Sequence, residues 1–473
     1  MKSRFAVVEF LFCFLSSSAQ TQLWGTTHSG GANNWGSIFA MDSMGGNFHI
    51  TYNFDASISK APLGNLCLAN NGCFYGITGL NQFNHDCFCF KYNPVTGTYT
   101  NIHDFFSDAV HGRNGRSGLV KAANNLLYGL CTSGGVYNAG VIYSIDPSND
   151  TYTDIFEFDI LQGANPVGSL CESTNGLLYG ITINGGLYQS GVIFSFDILS
   201  GTYTKLFNFP SSIGSIPFYG SLMQASNGLL YGVSEFGGMY NYGKLFSFDI
   251  NSNTLSDVFN FDYLSGAYPF SNVMEASDGN LYGMTHSGGT DSVGVLFEFD
   301  INSGNLIKLV DFNRLNGAYP TRKLIQLASG KLVGTTQNGG IYDQGVLFTY
   351  DIQTNIYSKL IDFVDTVSGT HPDAEILETP MISSANIANF ALNNNVSSYP
   401  NPASTQLTIS LNAEQKNISI KIINVLGEVV IIPSPLQGGR EGLIDISSLP
   451  QGIYFIEVTT VDKQVMRSKV IKE

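Results

Sequence analysis

The sequence predicts an all-β protein: a seven-bladed β-propeller closed by a C-terminal strand, followed by a small Ig-like β-sandwich. Three observations carry that expectation. One phrase recurs seven times, its central glycine at Gly25, Gly76, Gly129, Gly180, Gly232, Gly283 and Gly334, with spacings of 51 to 53 residues. Each copy holds four short strand signals separated by turn residues. A fragment of an eighth copy follows the seventh.

The chain of 473 residues is long enough for one large repeat domain and a small second one. Charged residues make up 12%, well under the roughly 25% usual in soluble domains. Gly, Asn, Ser, Thr, Tyr and Phe take their place, the profile of a turn-rich β protein. The net charge of −15 argues against nucleic acid and against docking on an anionic bilayer. Arginine is sparse in the repeats (Arg113, Arg116, Arg314 and Arg322), which disfavours a sialidase-like grip on acidic sugars.

Residues 1–19 read as a signal peptide: "MKSR" is the basic start, "FAVVEFLFCFL" the apolar run and "SSSAQ" the small-residue end. Glu9 interrupts the run, and a buried first strand is the competing reading. No later stretch reaches the ~18 apolar residues of a membrane span. The expectation is export in soluble form. Beyond Cys13, six cysteines remain: Cys67, Cys73, Cys87, Cys89, Cys131 and Cys171. Cys87-Phe-Cys89 has no companion pair at zinc-ligand spacing. Cys67 and Cys171 align with Val120, Met223, Met274 and Ile325, the pattern of core thiols. A disulfide within the cluster is compatible with an oxidising compartment, but its pairing is not readable.

Within one unit, "GSLMQA" is a first strand, Asn-Gly a tight turn, "LLYGVSE" a second strand ended by Gly237-Gly238, "GKLFSFD" a third, "INSN" a turn and "TLSDVFNF" a fourth. A period near 50 built from strands indicates a propeller rather than a helical solenoid. Val192, Phe194 and Phe196 alternate with Ile193, so the third strand is apolar on both faces and needs neighbours on both. The first unit opens at "QLWGTTHSGG", already inside its second strand. "SGTHPDAEILET", residues 368–379, aligns with segments that open other units, in a register marked by Pro269, Pro320 and Pro372. Pairing that strand with the first unit closes the ring and removes two exposed edges.

The Gly-Gly after the second strand resembles kelch-type propellers, and the text "LYGxTxxGG…G…F" is similar to the bacterial GloVer tandem repeats over roughly residues 23–380. The resemblance implies a propeller and export, and no single activity. After a polar linker, residues 381–397, the segment 398–473 has the alternating strands of a small sandwich. It resembles the type A C-terminal sorting domain of the Bacteroidetes type IX secretion system. The matching positions are Pro400, Asn401 and Pro402, Gly427, Leu449, Gly452 and Tyr454 in "LPQGIY", and Lys469. A loop at 432–442 is longer than that pattern expects. The resemblance implies passage through the periplasm, recognition by the outer-membrane translocon, and delivery to the cell surface or medium. The expected units are a signal peptide at 1–19, a propeller at 20–380, a linker at 381–397 and a sorting sandwich at 398–473.

No catalytic residue, metal site or cofactor is legible. No helix follows "LYG…GG" to place a dipole on a phosphate, so its glycines read as positive-φ residues and close packing at strand ends. The acid ending each third strand (Asp42, Asp146, Asp197, Asp249, Asp300 and Asp351, with Asn93) reads as a turn cap. No HExxH or GxSxG occurs. The loops between second and third strands read "GGANNWG", "GGVYNAG", "GGLYQSG", "GGMYNYG", "GGTDSVG" and "GGIYDQG". They place Tyr137, Tyr188, Tyr240 and Tyr342 at one aligned position, with Trp35 and Tyr242 two residues on. Interleaved with Asn, Gln and Asp, these aromatics suit a neutral sugar or polar peptide. The competing reading packs each tyrosine on a neighbouring blade. The expected function is therefore a non-catalytic glycan- or protein-binding module. The alternative is a polysaccharide lyase or glycosidase with its site at the channel mouth.

Overall fold

The computed structural model describes residues 21–55, 62–79, 87–105, 111–115, 117–210, 220–270, 272–372, 375–380, 396–399, 402–411, 419–424, 429–431, 441–459 and 465–472. The signal-peptide reading and most of the linker lie outside the described residues, as do Arg116, Pro400, Asn401 and Gly427.

Among the described residues of 21–380, seven antiparallel sheets of four or five strands follow one another, with a two-stranded pairing of Gly112–Arg113 and Ser133–Gly134 beside the third. Sheet 4 is representative: Ala164–Glu172, Leu177–Asn184, Val192–Asp197 and Thr202–Asn208, paired in chain order. Each third strand ends in the expected cap, as when Asp197 accepts a hydrogen bond from the Leu199 N–H at 2.8 Å and Asp300 one from Asn302 at 2.8 Å. Asn93 does the same for Val95 at 2.9 Å. The short Asp365–Ser368 turn is the one helix among the described residues.

Both faces of every third strand are covered. In sheet 4, Val192, Phe194 and Phe196 share a core with Tyr128, Leu130 and Ile142 of sheet 3. On the opposite face Ile193 joins Leu230, Phe246 and Phe248 of sheet 5. Equivalent clusters join sheets 1 and 2, 2 and 3, 5 and 6, and 6 and 7, and a last one joins sheet 7 back to sheet 1. The packing order is cyclic.

One aromatic pair repeats at every junction. The phenylalanine after each fourth strand meets the third-strand ring of the next sheet: Phe54–Phe90, Phe105–Tyr143, Phe158–Phe194, Phe209–Phe246, Phe261–Phe297, Phe312–Phe348 and, across the closure, Phe363–Phe39, at centroid separations of 5.2 to 6.1 Å. Edge-on pairs of this kind contribute roughly 0.5–1.5 kcal/mol beyond their burial. They also account for the repeated glycine. A Cβ on Gly25, Gly76, Gly129, Gly180, Gly232, Gly283 or Gly334 would lie 2.3 to 2.8 Å from that same third-strand ring. This corrects the expectation of positive φ at that position. The glycine lies in mid-strand, and its hydrogen is needed because a ring lies across it.

Sheet 1 begins with its second strand, Thr21–Ser29, followed by Ser37–Asp42 and His49–Asn53. Its missing partner comes from the far end of the repeats. Thr370–Pro372 and Leu377–Pro380 pair antiparallel with Thr21–Ser29, in the register Trp24↔Leu377 to Thr21↔Pro380 and Thr27↔Pro372. The buried Trp24 indole N–H donates to Thr379 Oγ1 at 3.1 Å. Glu378 accepts from the Ala328 N–H at 2.8 Å, as Glu275 accepts from Ser226 at 2.7 Å two junctions earlier. The returning segment thus makes the same cross-sheet bond as an ordinary opening strand.

Residues 396–472 form two further antiparallel sheets. One contains Val396–Tyr399, Gln406–Leu411 and Glu441–Asp445, the other Val429–Ile431, Ser419–Asn424, Gly452–Thr459 and Val465–Lys472. Leu407, Ile409 and Ile444 of the first share one core with Ile420, Ile422, Ile456 and Val458 of the second.

Candidate functional site

The loops between second and third strands are built alike. Gly-Gly turns the chain with positive φ at both residues, for example 77° and 73° at Gly185 and Gly186. A polar side chain from the end of the fourth strand then holds the tip. Asn53, Glu157, Asn208, Asn260, Asp311 and Asp362 accept hydrogen bonds from the N–H groups of Ala32, Val136, Leu187, Met239, Thr290 and Ile341, at 2.8 to 2.9 Å. A Cβ on Gly186 would sit 2.8 Å from Asn208 Oδ1, so the second glycine makes room for the cap.

This brace leaves two side chains per tip facing outward. Tyr137, Tyr188, Tyr240 and Tyr342 are 65, 56, 53 and 54% exposed, and the preceding Val136, Leu187, Met239 and Ile341 are 69 to 76% exposed. The connection that enters each sheet runs alongside: Gly186 N–H donates to Ile160 O at 2.9 Å, and Gly340 N–H to Arg314 O at 2.6 Å. These connections expose Leu161, Leu264, Leu315 and Val367 as well. The result is a set of exposed tyrosine and aliphatic side chains at the loop tips.

The other two aromatics point elsewhere. Tyr242 is half-buried against Tyr263 and Tyr268, with centroids at 5.1 and 5.8 Å, and Trp35 packs on the core between sheets 1 and 2. The interleaved polar residues serve the loops themselves. Asn138, Asn241 and Asp343 adopt positive φ and accept from the N–H of Gly134, Gly237 and Gly339 at 3.1, 3.0 and 2.9 Å. Short amide and carboxylate side chains tolerate this backbone and bond to it locally. Nearby, His286 lies between Phe270 and Tyr319 at 5.3 and 5.0 Å, and burial lowers its pKa. Glu235, at the aligned position of sheet 5, is raised by burial.

The opening strands line a second feature, a narrow polar channel whose cavity volume is about 20 Å³, room for one or two waters. One aligned position from each sheet faces it: Asn65, Gly118, Ser169, Ser221, Asn272, Lys323 and Glu375, with Arg322 beside them. Sequence reasoning missed this ring. The signal was present in the repeat alignment, where the next residue is always aliphatic (Leu66, Leu119, Leu170, Leu222, Val273, Leu324, Ile376) while this one varies among Asn, Gly, Ser, Lys and Glu.

Among the described residues, Cys67, Cys73, Cys89, Cys131 and Cys171 are free thiols. Cys67, Cys73, Cys87, Cys89 and Cys131 share the core between sheets 2 and 3. Burial pushes the Cys67 thiol up to about 11 and those of Cys89 and Cys131 well above the ordinary value. Neutral thiols in an apolar core are poor nucleophiles. Among the described residues no group of His, Cys, Asp and Glu is placed to hold a metal ion.

In the C-terminal unit, Leu449 and Tyr454 are buried, and the Tyr454 hydroxyl donates to Pro450 O at 2.9 Å. Gly452 opens the last hairpin opposite Lys472, and Lys469 lies opposite Phe455. Pro402 is exposed.

Residues 15–225 and 218–383 match the Gloeobacter/Verrucomicrobia repeat. The chain belongs to that repeat family. Residues 397–473 match the secretion system C-terminal sorting domain, which marks proteins exported by type IX secretion to the cell surface or released. No curated protein matches the chain in sequence. Among solved structures, a Bacteroides fragilis protein described as a 6-phosphogluconolactonase aligns over 77% of this chain and 99% of its own at 14% identity, with a TM-score of 0.51. A Bacteroides uniformis protein of the same description covers 76% and 99% at 14% identity and 0.48. An oligogalacturonate lyase in complex with manganese covers 72% and 84% at 10% identity and 0.45. At these identities the likeness concerns the fold alone. No helix among the described residues is long and apolar enough to cross a membrane.

Proposed function

We propose that this repeat-family member is a seven-bladed β-propeller, residues 20–380, carried outward by an Ig-like sorting sandwich at 398–473 that the type IX translocon recognises. A signal peptide at 1–19 and a linker at 381–397 complete it. Its role is binding rather than catalysis, and the partner is a protein surface contacted by the rim. One observation carries the reading: Tyr137, Tyr188, Tyr240 and Tyr342 each stand more than half exposed beside an exposed aliphatic residue. Tyrosine and methionine are enriched at protein contact surfaces, and exposed aliphatic side chains beside them add apolar area. Small sugars prefer concave sites with converging polar groups, whereas these are convex tips whose amides are tied to their own loops.

The cyclic packing order and the returning strand support the seven blades. The two-sheet core with buried Leu449 and Tyr454 supports the sandwich. The test uses cells of the source kind, either protease-shaved or stripped of surface polysaccharide. Wild-type protein should bind untreated and polysaccharide-stripped cells, and lose retention after shaving. Changing Tyr188 and Tyr240 to Ala should abolish retention with a melting point within a few degrees of wild type. Retention that follows the polysaccharide instead, or a large fall in stability in the variant, would overturn the reading.

A further inference from the structure

We propose that the aromatic cluster between sheets 5 and 6 receives an arginine side chain of the partner protein. The inference rests on the reading of the rim as a protein contact, and it narrows that partner to one presenting an exposed arginine.

Four rings meet where the connection into sheet 6 crosses the sheet-5 loop, held there by the Tyr268 N–H donating to Tyr242 O at 2.8 Å. Phe236, 40% exposed, lies 5.2 Å from Tyr268, which also meets Tyr242 at 5.8 Å, and Tyr242 meets Tyr263 at 5.1 Å. The three tyrosines are half-buried. The repeat frame does not demand these rings, because the junction of sheets 3 and 4 holds Ser133, Ala139, Ile160 and Asn165 at the aligned positions. Nor is the backbone relaxed. Tyr263 and Tyr268 have φ of 71° and 55°, a region bulky residues rarely enter, and a residue before proline is pushed toward extended backbone. Asn165 adopts the same conformation, but a short amide tolerates it. Strained backbone of this kind collects at ligand clamps.

The next junction supplies the precedent for what such a ring accepts. Tyr319, aligned with Tyr268, carries the Arg314 guanidinium 5.5 Å from its centroid, and its hydroxyl accepts from Arg314 at 3.0 Å. At the aligned position of Arg314, the cluster between sheets 5 and 6 has Tyr263 instead. A ring face attracts a cation, and a guanidinium stacks there with less hydration to lose than an ammonium. Glu235 adds charge. It is aligned with His286, which stacks on Tyr319 at 5.0 Å, so the repeat places it beside Tyr268. Burial alone acts on its carboxyl, and no cation among the described residues answers it. Residues 206–307 hold six Asp and three Glu against one Lys and no Arg, and that lysine, Lys244, is paired with Asp257 at 2.8 Å. The complement this surface lacks is a cation from outside.

Calorimetric titration of the purified full chain with the N-acetyl methylamides of arginine, lysine and norleucine tests the proposal. The arginine probe should bind saturably and about threefold or more tighter than the lysine probe, and the norleucine probe should give no saturable heat. Phe236→Ala and Glu235→Gln should each weaken the arginine probe by about threefold or more. No saturable heat with the arginine probe would overturn the site, as would equal affinity for the three probes or unchanged affinity in both variants. Cell retention without arginine-probe binding would overturn this site and leave the rim reading standing, whereas probe binding without cell retention would overturn the rim reading alone. Should a variant fail to fold, the three-probe comparison on wild type decides.

Discussion

Replacing Ile376 with alanine tests the closure of the ring directly. Ile376 is 5% exposed and shares a core with Leu23, Phe39 and Met41 of sheet 1 and with Leu327, Val333, Leu347 and Phe363 of sheet 7. Ile→Ala in a core costs about 2–5 kcal/mol, more where the walls cannot collapse. Here the walls are strands held by backbone ladders on both sheets, so about 3–4 kcal/mol is expected. With a urea dependence of about 3 kcal/mol per molar, the unfolding midpoint should drop by about 1 M. Leu170, 2% exposed at the aligned position of sheet 4, supplies the control, and its alanine variant should lose about the same stability. The two should differ in hydrogen exchange. Only Ile376→Ala should speed exchange in Thr21–Ser29, because only that strand depends on a partner more than 340 residues away in sequence. A midpoint shift under about 0.2 M, or identical exchange maps for the two variants, would refute the closing role of the returning segment.

Two further outcomes follow from the repeat chemistry. Gly180→Ala should destabilise by about 1–3 kcal/mol, since its Cβ would lie 2.3 Å from the Phe194 ring, which also packs on Phe158. Adding Phe194→Leu should restore part of the loss in a double-mutant cycle of thermal melts, and a neutral Gly180→Ala would remove the packing explanation for the repeated glycine. The turn caps set the acid behaviour. Hydrogen bonds from the Ser200 hydroxyl to Asp197, the Asn251 N–H to Asp249, the Ser303 hydroxyl to Asp300 and the Gln353 N–H to Asp351 hold these carboxyls below their ordinary value of 3.8. A depressed folded pKa gives stability that is present above the unfolded value and lost as pH falls through the folded one. The urea midpoint should therefore decline below pH 4 or so, and a variant with all four Asp changed to Asn should decline less steeply. An unchanged acid profile in that variant would refute the capping assignment.

Much of the fold was legible because repetition makes a local signal count seven times. "LYG", the alternation Val192-Ile193-Phe194 and the Asn-Gly turns each specify a strand or its end through backbone preference and side-chain period. Pro372 sets the register of the returning strand by alignment alone. The candidate surfaces were less legible. Exposure of Tyr188 depends on Asn208 reaching 21 positions back to brace the tip, and the withdrawal of Tyr242 depends on Tyr263 and Tyr268 of the following connection. Neither is a property of the loop text. The mid-strand glycine was misread because its reason lies across the sheet, on Phe194, and not in its own φ.

The sequence by itself determined the all-β class, the repeat family, the returning strand and the sorting tail, because each rests on periodicity or a local motif. Only the tertiary structure decided which aromatics face solvent and that Asn65, Asn272, Lys323 and Glu375 line one channel. The physical reason is distance along the chain. Residues 51 to 310 positions apart become neighbours only when the sheets pack on one another, and no local preference encodes which of their polar groups then line the same space.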